Sequence, residues 1–239
     1  MNYKLAVLSV CDSFYARRPQ TQIVTRLMEK WGYDYRPYVD PLWQGWPDKV
    51  RCYTRDVPAL LGTGVTHVMF IDAADVMMLC GPDELMERWT AFNHPWVYNA
   101  EVNIWPPNSF TPEEYPTPPG VFRYINGGAY LGELEHVAGW YNKWTNFGKD
   151  PIVCEKSDQH WMAERMVKHY PEAIILDQNC EVFQCGCGAR VGPEPAIQIS
   201  PGKVYNRLTD TYPVVIHANG GDDIIADTEW RTLWSSLLD

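Results

Sequence analysis

The sequence of 239 residues lacks long hydrophobic runs, low-complexity tracts and blocks of like charge. Its longest apolar runs, residues 68–71 and 214–216, fall far short of the roughly 20 residues that span a bilayer. With 46% hydrophobic and 21% charged residues, intrinsic disorder and a coiled coil are excluded. The first ten residues lack a signal-peptide cleavage pattern. We therefore expect a cytoplasmic globular protein without a membrane partner, folded as a single domain over residues 1–239.

Cysteine is also scarce, with seven residues scattered along the chain. An odd number in a chain of this length argues against a disulfide framework and favours a reducing compartment. Cys180, Cys185 and Cys187 lie close together in sequence, but their spacing fits no zinc finger, so we expect no zinc there. Their role stays open.

Positive charge is in short supply, because 20 Lys and Arg stand against 30 Asp and Glu, a net charge of −10. The distribution is uneven: residues 1–60 contain nine basic and six acidic residues, whereas the rest of the chain is strongly acidic. An acidic surface disfavours nonspecific binding to duplex DNA, while the positive first quarter suits a small anion.

Predicted strands and helices alternate along the chain. Apolar segments predict buried strands at 4–10, 67–71, 96–98, 122–132, 173–176 and 212–217. Helical spacing, Pro82 and the potential cap Ser157 predict helices between them. This alternation predicts an α/β fold with a mostly parallel central sheet flanked by helices. Its ligand site should lie beyond the carboxyl ends of the strands.

Several predicted strands end in a polar residue, and these are Asp72 with Asp75, Glu101, Asp177 and His217. We expect them to form one cluster. Two carboxylates three residues apart and a histidine from another strand end make a mixed oxygen and nitrogen ligand set that suits manganese or magnesium. The same spacing equally fits turn carboxylates that accept backbone N–H bonds and a core histidine. Spacing alone leaves both interpretations open.

Three further motifs are ambiguous by themselves. Asn126, followed by two glycines, fits either a close approach to a ligand or a bulged strand. The turn at residues 217–221 fits either a phosphate site or a plain hairpin. Asp158 fits either a reacting carboxylate or a favourable first-turn acid of a helix.

Taken in order, six sequence blocks resemble the glycosyltransferase domain of the procollagen lysyl hydroxylase family and its viral and bacterial relatives. The blocks are residues 69–76 (MFIDAADV), 99–106 (NAEVNIWP), 123–132 (RYINGGAYLG), 157–159 (SDQ), 176–177 with 182–184 (LD and VFQ) and 214–220 (VVIHANG). A looser match surrounds Trp43 and Lys49. The resemblance implies a GT-A, Rossmann-like fold.

The resemblance also implies roles for individual residues. It makes Asp72, Asp75 and His217 the ligands of Mn²⁺, with Mg²⁺ as the alternative, and Asp158 and Gln159 the catalytic pair. The implied donor-binding residues are Trp43, Lys49, Asp72, Trp105, Asn126, Asn219 and Gly220. The residues themselves also allow core packing for Trp43 and a solvated helix face for Lys49. Two departures from the family pattern are Ala74, where an aromatic is common, and Ser157, which replaces the first of two acids.

The activity implied by the resemblance is transfer of glucose or galactose from a UDP-sugar to an acceptor hydroxyl, with retention. By family, the acceptor is a hydroxylysine or galactosyl-hydroxylysine of a collagen-like protein. A hydroxymethylated base of viral DNA is an alternative, so protein, glycan and DNA acceptors stay open. A second alternative is a non-catalytic, metal-dependent sugar-binding module, and a metal-dependent phosphohydrolase is a distant third. We expect a transferase module without the hydroxylase domain.

Overall fold

The computed structural model describes residues 3–146, 156–188, 194–220 and 228–238. The strands are β1 (Leu5–Cys11), β2 (Asp34–Val39), β3 (His67–Ile71), β4 (Val76–Met78), β5 (Trp96–Glu101), β6 (Tyr124–Glu133), β7 (Ile175–Asp177), β8 (Phe183–Cys185), β9 (Ile197–Ser200), β10 (Lys203–Asn206) and β11 (Val215–His217). The helices are α1 (Pro19–Trp31), α2 (Trp46–Ala59), α3 (Pro82–Thr90), α4 (Leu134–Trp144), α5 (Asp158–His169) and α6 (Thr228–Leu238).

The central sheet has six strands in the order β2-β1-β3-β6-β5-β7. β1 pairs parallel with β2 and β3, and β5 pairs parallel with β7. β6 is antiparallel to both of its neighbours, β3 and β5. The predicted α/β class with a mostly parallel sheet is confirmed. β6 is the antiparallel member that the sequence pattern did not reveal.

Both faces of this sheet are covered, and the two-residue period of a strand sorts its side chains between two cores. In β3, Val68 and Phe70 enter one core together with Leu27 and residues of α2, α4 and α5. Met69 and Ile71 enter the other core with residues of α1 and α3. Because both faces are buried, β3 is a continuous apolar run.

Local sequence signals end and begin several helices as expected. Gly32 follows α1 at φ 74°, the left-handed region that glycine adopts without a side-chain clash. Ser157 caps α5, since its Oγ accepts the backbone N–H of His160. α2 begins at Trp46, and Pro58 lies in its last turn.

β11 lies within the predicted strand at 212–217, but its place in a small second sheet, in the order β4-β11-β8, was not predicted. β11 is antiparallel to β4, with His217 opposite Val76, and parallel to β8. β4 and β8 have three residues each and carry too little periodicity to be recognised from sequence. No helix within the described ranges is long and apolar enough to cross a membrane.

Candidate active site

Asp72, Asp75 and His217 meet where the two sheets join. Both aspartates lie in the turn between β3 and β4, and His217 ends β11. The turn is held from two sides, because Asp72 N–H donates to the Gly128 carbonyl and Ala218 N–H donates to the Asp75 carbonyl, each at 2.8 Å. His217 Nε2 lies 3.5 Å from Asp72 Oδ2 and 3.4 Å from Asp75 Oδ2. One potential ligand atom from each residue lies within 4.8 Å of the others.

Lys49 reaches this cluster from α2, and its side chain is buried. Its Nζ lies 2.6 Å from Asp72 Oδ1 and 2.7 Å from Asp158 Oδ2, and it donates to the Gly127 carbonyl at 3.3 Å. Burial lowers the pKa of Lys49, but Asp158 and Asp72 outweigh this and raise that pKa above its ordinary value. A solvated helix face for Lys49 is therefore wrong.

The same contacts shift the pKa values of the ligand cluster, which consists of Asp72, Asp75 and His217. Burial raises the pKa of Asp72, although Lys49 opposes it. Burial also acts to raise the pKa of Asp75, but the neighbouring His217 outweighs it and lowers that pKa. Burial lowers the pKa of His217, whereas Asp75 and Asp72 raise it above its ordinary value. The carboxylates thus favour positive charge around them.

Asp158 is the first residue of α5 and is buried at 4% exposure. Besides Lys49, it contacts the hydroxyl of Tyr53, which donates to Oδ2 at 3.3 Å. Its position therefore fits both a reacting carboxylate and a first-turn acid of a helix. The carboxylate lies at the positive end of a helix and also lines the cavity beside the ligand cluster.

A second buried carboxylate, Glu101 at the end of β5, collects three side-chain amides. Its Oε1 accepts from Gln159 Nε2 and from Asn126 Nδ2, the latter at 3.3 Å. Its Oε2 accepts from Asn219 Nδ2 at 3.3 Å. Burial raises the pKa of Glu101, and these donors lower it in part. The network links β5, β6, α5 and the turn after β11.

Gly127 and Gly128 are explained by the close approach of site side chains. A Cβ on Gly127 would lie 2.9 Å from Asp158 Oδ2, and one on Gly128 only 2.0 Å from His217 Cε1. The same stretch faces an irregularity between Tyr98 and Ala100 in the pairing of β5 with β6. The bulged-strand interpretation of the glycines therefore holds, and the bulge brings the backbone against the side chains of the site.

Two adjoining cavities open over the cluster. The larger, about 470 Å³, contains Trp105, Asn126, Asp158, Gln159, Asn219 and Gly220 in its wall. The smaller, about 340 Å³, contains Trp43, Tyr15, Asp12 and Ala74. Lys49, Asp72, Asp75 and Trp46 line both. Every residue that the resemblance implied for the site thus borders one or both of these cavities, and His217 lines the larger one.

Trp46 is the main site residue that sequence reasoning missed. It is 51% exposed, borders both cavities and lies with its ring centroid 5.7 Å from Lys49 Nζ. An available signal was its place in a short loop that already carries Trp43. The resemblance marked Trp43 alone, so Trp46 received no role.

Asp177 does not belong to the cluster, contrary to expectation. It is fully buried, and its carboxylate accepts backbone N–H bonds from Glu181, Val182 and Phe183 at 2.8–2.9 Å. The chain turns back over the end of β7, so the side chain closes that turn instead of lining a cavity. Burial raises the pKa of Asp177 to about 6.

The other basic residues of α2, Arg51 and Arg55, are also paired with acids. Arg51 pairs with Asp40 at 2.8 Å and with Asp48 at 3.0 Å, and Arg55 pairs with the adjacent Asp56. The net positive charge of residues 1–60 is therefore not a free basic surface at α2.

Comparison with solved structures identifies the fold. The chain is similar to a crystal structure of a glycosyltransferase involved in the glycosylation of the major capsid of PBCV-1, with a TM-score of 0.53 and 16% identity. The match covers 92% of this chain and 96% of that one. At this identity the likeness shows a shared fold, that of a glycosyltransferase.

The family follows from the sequence. The family model of the PLOD GT domain matches residues 43–226, and the chain belongs to this family of glycosyltransferases. It is 26% identical over 197 residues to mouse procollagen-lysine,2-oxoglutarate 5-dioxygenase 1, covering 81% of this chain and 26% of that protein. It is also 26% identical over 155 residues to an uncharacterized protein of Acanthamoeba polyphaga mimivirus, covering 64% of this chain and 31% of that protein. The chain thus spans about a quarter to a third of the length of these relatives. The family resemblance expected from the sequence blocks is confirmed.

Proposed function

We propose that the chain transfers a hexose from a UDP-sugar to an acceptor hydroxyl, using a divalent cation held by Asp72, Asp75 and His217. The observation that carries the proposal is the convergence of these three side chains with Lys49 and Asp158 at the junction of two cavities. A metal, a donor and an acceptor have to meet at one such junction.

The chemistry of the donor set supports Mn²⁺, with Mg²⁺ as the alternative. Two carboxylate oxygens and one imidazole nitrogen form a mixed set of the kind that Mn²⁺ accepts. Asp75 and Asp72 raise the pKa of His217, which supports a site that favours positive charge beside these carboxylates. Bound there, the cation would act as a Lewis acid that stabilises negative charge on the departing diphosphate.

The residues of the chain have separable roles in this scheme. Lys49 offsets part of the charge of Asp72 and Asp158, which lowers the repulsion that an anionic donor would meet. Trp43, Trp46 and Tyr15 offer aromatic faces in the smaller cavity, where we place the nucleoside. Trp105, Asp158 and Gln159 border the larger cavity, where we place the sugar and the acceptor.

Asp158 is positioned to act at the reacting centre. Its carboxylate contacts Lys49 and Tyr53 and borders the cavity that we assign to the sugar. There it would stabilise positive charge that develops at the anomeric carbon in a retaining transfer. Gln159 next to it is tied to Glu101 and to the Gly127 N–H, which holds this side of the cavity in place.

For the acceptor, we favour a hydroxyl carried by a protein or glycan over a base in DNA. Arg51 and Arg55, which would have to face a phosphate backbone, already pair with Asp40, Asp48 and Asp56. A polyanion gains little from charges that are neutralised in this way. Filter binding to DNA at low and high salt tests this choice, and tight, salt-sensitive binding would reverse it.

The central experiment measures nucleotide release from a panel of nucleotide sugars in the presence of Mn²⁺. We expect release from a UDP-hexose without added acceptor, and its loss on addition of EDTA or in Asp75→Ala. Glu135→Ala, an exposed acid on α4, is the matched control and should keep full activity. No release from any donor would contradict the proposal, and wild-type activity in Asp75→Ala would remove the metal assignment.

A further inference from the structure

The orientation of Asn126 is fixed by a backbone group. The Gly128 N–H lies 2.9 Å from one atom of the Asn126 amide, and a backbone N–H can only donate. That atom must therefore be the oxygen Oδ1. The nitrogen Nδ2 then faces Glu101 Oε1 at 3.3 Å and donates to it.

The same logic fixes the two other amides around Glu101. Gln159 Oε1 accepts the Gly127 N–H at 3.0 Å, and Asn219 Oδ1 accepts the Cys187 N–H at 2.9 Å. Each amide is left with its NH₂ group directed at the Glu101 carboxylate. Glu101 is thus surrounded by donors and acts as the common acceptor.

This polarity determines which nitrogen of His217 carries the proton. His217 Nδ1 lies 2.7 Å from Asn126 Oδ1, and the ring is buried at 3% exposure. Since Oδ1 can only accept, Nδ1 must donate its N–H. In the neutral ring Nε2 then has no proton, and it is Nε2 that faces Asp72 and Asp75.

We propose that Asn126 and Glu101 are positioning residues that hold His217 in the Nδ1–H tautomer, with the Nε2 lone pair directed at the Asp72 and Asp75 carboxylates. This inference rests on the metal site of the proposed function. Asn126 is thereby assigned to supporting His217. Its oxygen already accepts from His217 and Gly128, and its NH₂ group already donates to Glu101. Partners of this kind set the ring orientation and basicity of a metal-binding histidine.

The test compares two replacements of nearly equal size at residue 126. Asn126→Leu removes the acceptor oxygen, so Mn²⁺ affinity should fall by about 10- to 100-fold, the usual effect of losing such a partner. Asn126→Asp keeps an oxygen for His217 and Gly128 and can share a proton with Glu101, so it should stay within about threefold of wild type near pH 6. Mn²⁺ binding is read by electron paramagnetic resonance of the free ion. Asn103→Leu, an exposed amide of the same cavity, is the control.

A second readout needs no metal. In histidine-labelled protein at alkaline pH, where the ring is neutral, nitrogen chemical shifts should show His217 as the Nδ1–H tautomer in wild type and Asn126→Asp. They should show a mixture of tautomers in Asn126→Leu. His217→Gln identifies the signal among the six histidines. A dominant Nδ1–H tautomer and unchanged Mn²⁺ affinity in Asn126→Leu would overturn the inference. If wild type itself binds no Mn²⁺, the proposed function fails, and the tautomer measurement alone decides the role of Asn126.

Discussion

Replacing the buried Lys49 by methionine should strongly destabilise the protein. Methionine keeps the length of the side chain but removes the cation that now lies 2.6 Å from the partly exposed Asp72 and 2.7 Å from the buried Asp158. Removing one partner of a buried ion pair costs about 3–5 kcal/mol. For a chain of this size, that corresponds to a fall in Tm of roughly 6–20 °C. Thermal unfolding followed by circular dichroism at pH 7 measures it.

The pH dependence tests the cause of that loss. The folded-state pKa of Lys49 is raised, so its stabilisation is fully present at neutral pH, below its unfolded value, and is lost only as pH rises through the folded pKa. In Lys49→Met, the Asp72 carboxylate loses the charge that opposes the rise of its pKa. Its folded pKa then exceeds the unfolded one further, so the variant recovers stability as pH falls, and the gap to wild type narrows towards pH 4.

Lys203→Met provides the matched control, because Lys203 is exposed on β10. Surface replacements of this kind usually change stability by no more than about 0.5 kcal/mol. If Lys49→Met melts within a degree or two of Lys203→Met at pH 7, the two carboxylates do not depend on Lys49 and the electrostatic account of the site is wrong.

Three further substitutions address separate features of the site. Gly128→Ala should weaken Mn²⁺ binding at least tenfold by calorimetry, because the added Cβ would lie 2.0 Å from His217 Cε1. Its control is Gly139→Ala, at an exposed position of α4 where the added Cβ meets open space, and this replacement should gain up to about 1 kcal/mol of stability. Asp158→Asn should abolish hexose transfer while donor binding persists, and full transfer in that variant would leave only a helix-end role for the carboxylate. Trp46→Ala should raise KM for the donor more than it lowers kcat, since the half-exposed indole borders both cavities; an unchanged KM would place the donor elsewhere.

The fold and the meeting of Asp72, Asp75 and His217 could be predicted because they depend on local order. Asp72, Asp75 and His217 follow buried apolar runs, and such runs end at the edge of the sheet where ligands bind. The same rule failed for Asp177. It identifies the edge of the sheet but not the path of the following turn, and residues 181–183 fold back to donate their N–H groups to that carboxylate.

Other features depend on partners that are distant in sequence. The burial of Lys49 requires an acid after β3 and another at the start of α5. The sequence around residues 49 and 158 does not indicate that these two side chains form an ion pair. In the small sheet that positions His217, the partner strands β4 and β8 have three residues each and are too short to show a period. The amide network around Glu101 likewise depends on which backbone N–H groups face it.

The arrangement of charge explains why a metal and an anionic donor would have to bind together. Asp72, Asp75 and Asp158 border the cavities, and Lys49 is the ammonium group that contacts two of them. A diphosphate adds negative charge to this surface, and unit charges about 4 Å apart repel by about 4 kcal/mol at the effective dielectric of a protein surface. Lys49 already offsets the charge of two carboxylates, so it cannot also offset the repulsion of the diphosphate. A divalent cation on Asp72, Asp75 and His217 would supply the missing positive charge beside the donor. The acidic cluster that would exclude a nucleotide sugar on its own would therefore make donor binding dependent on metal.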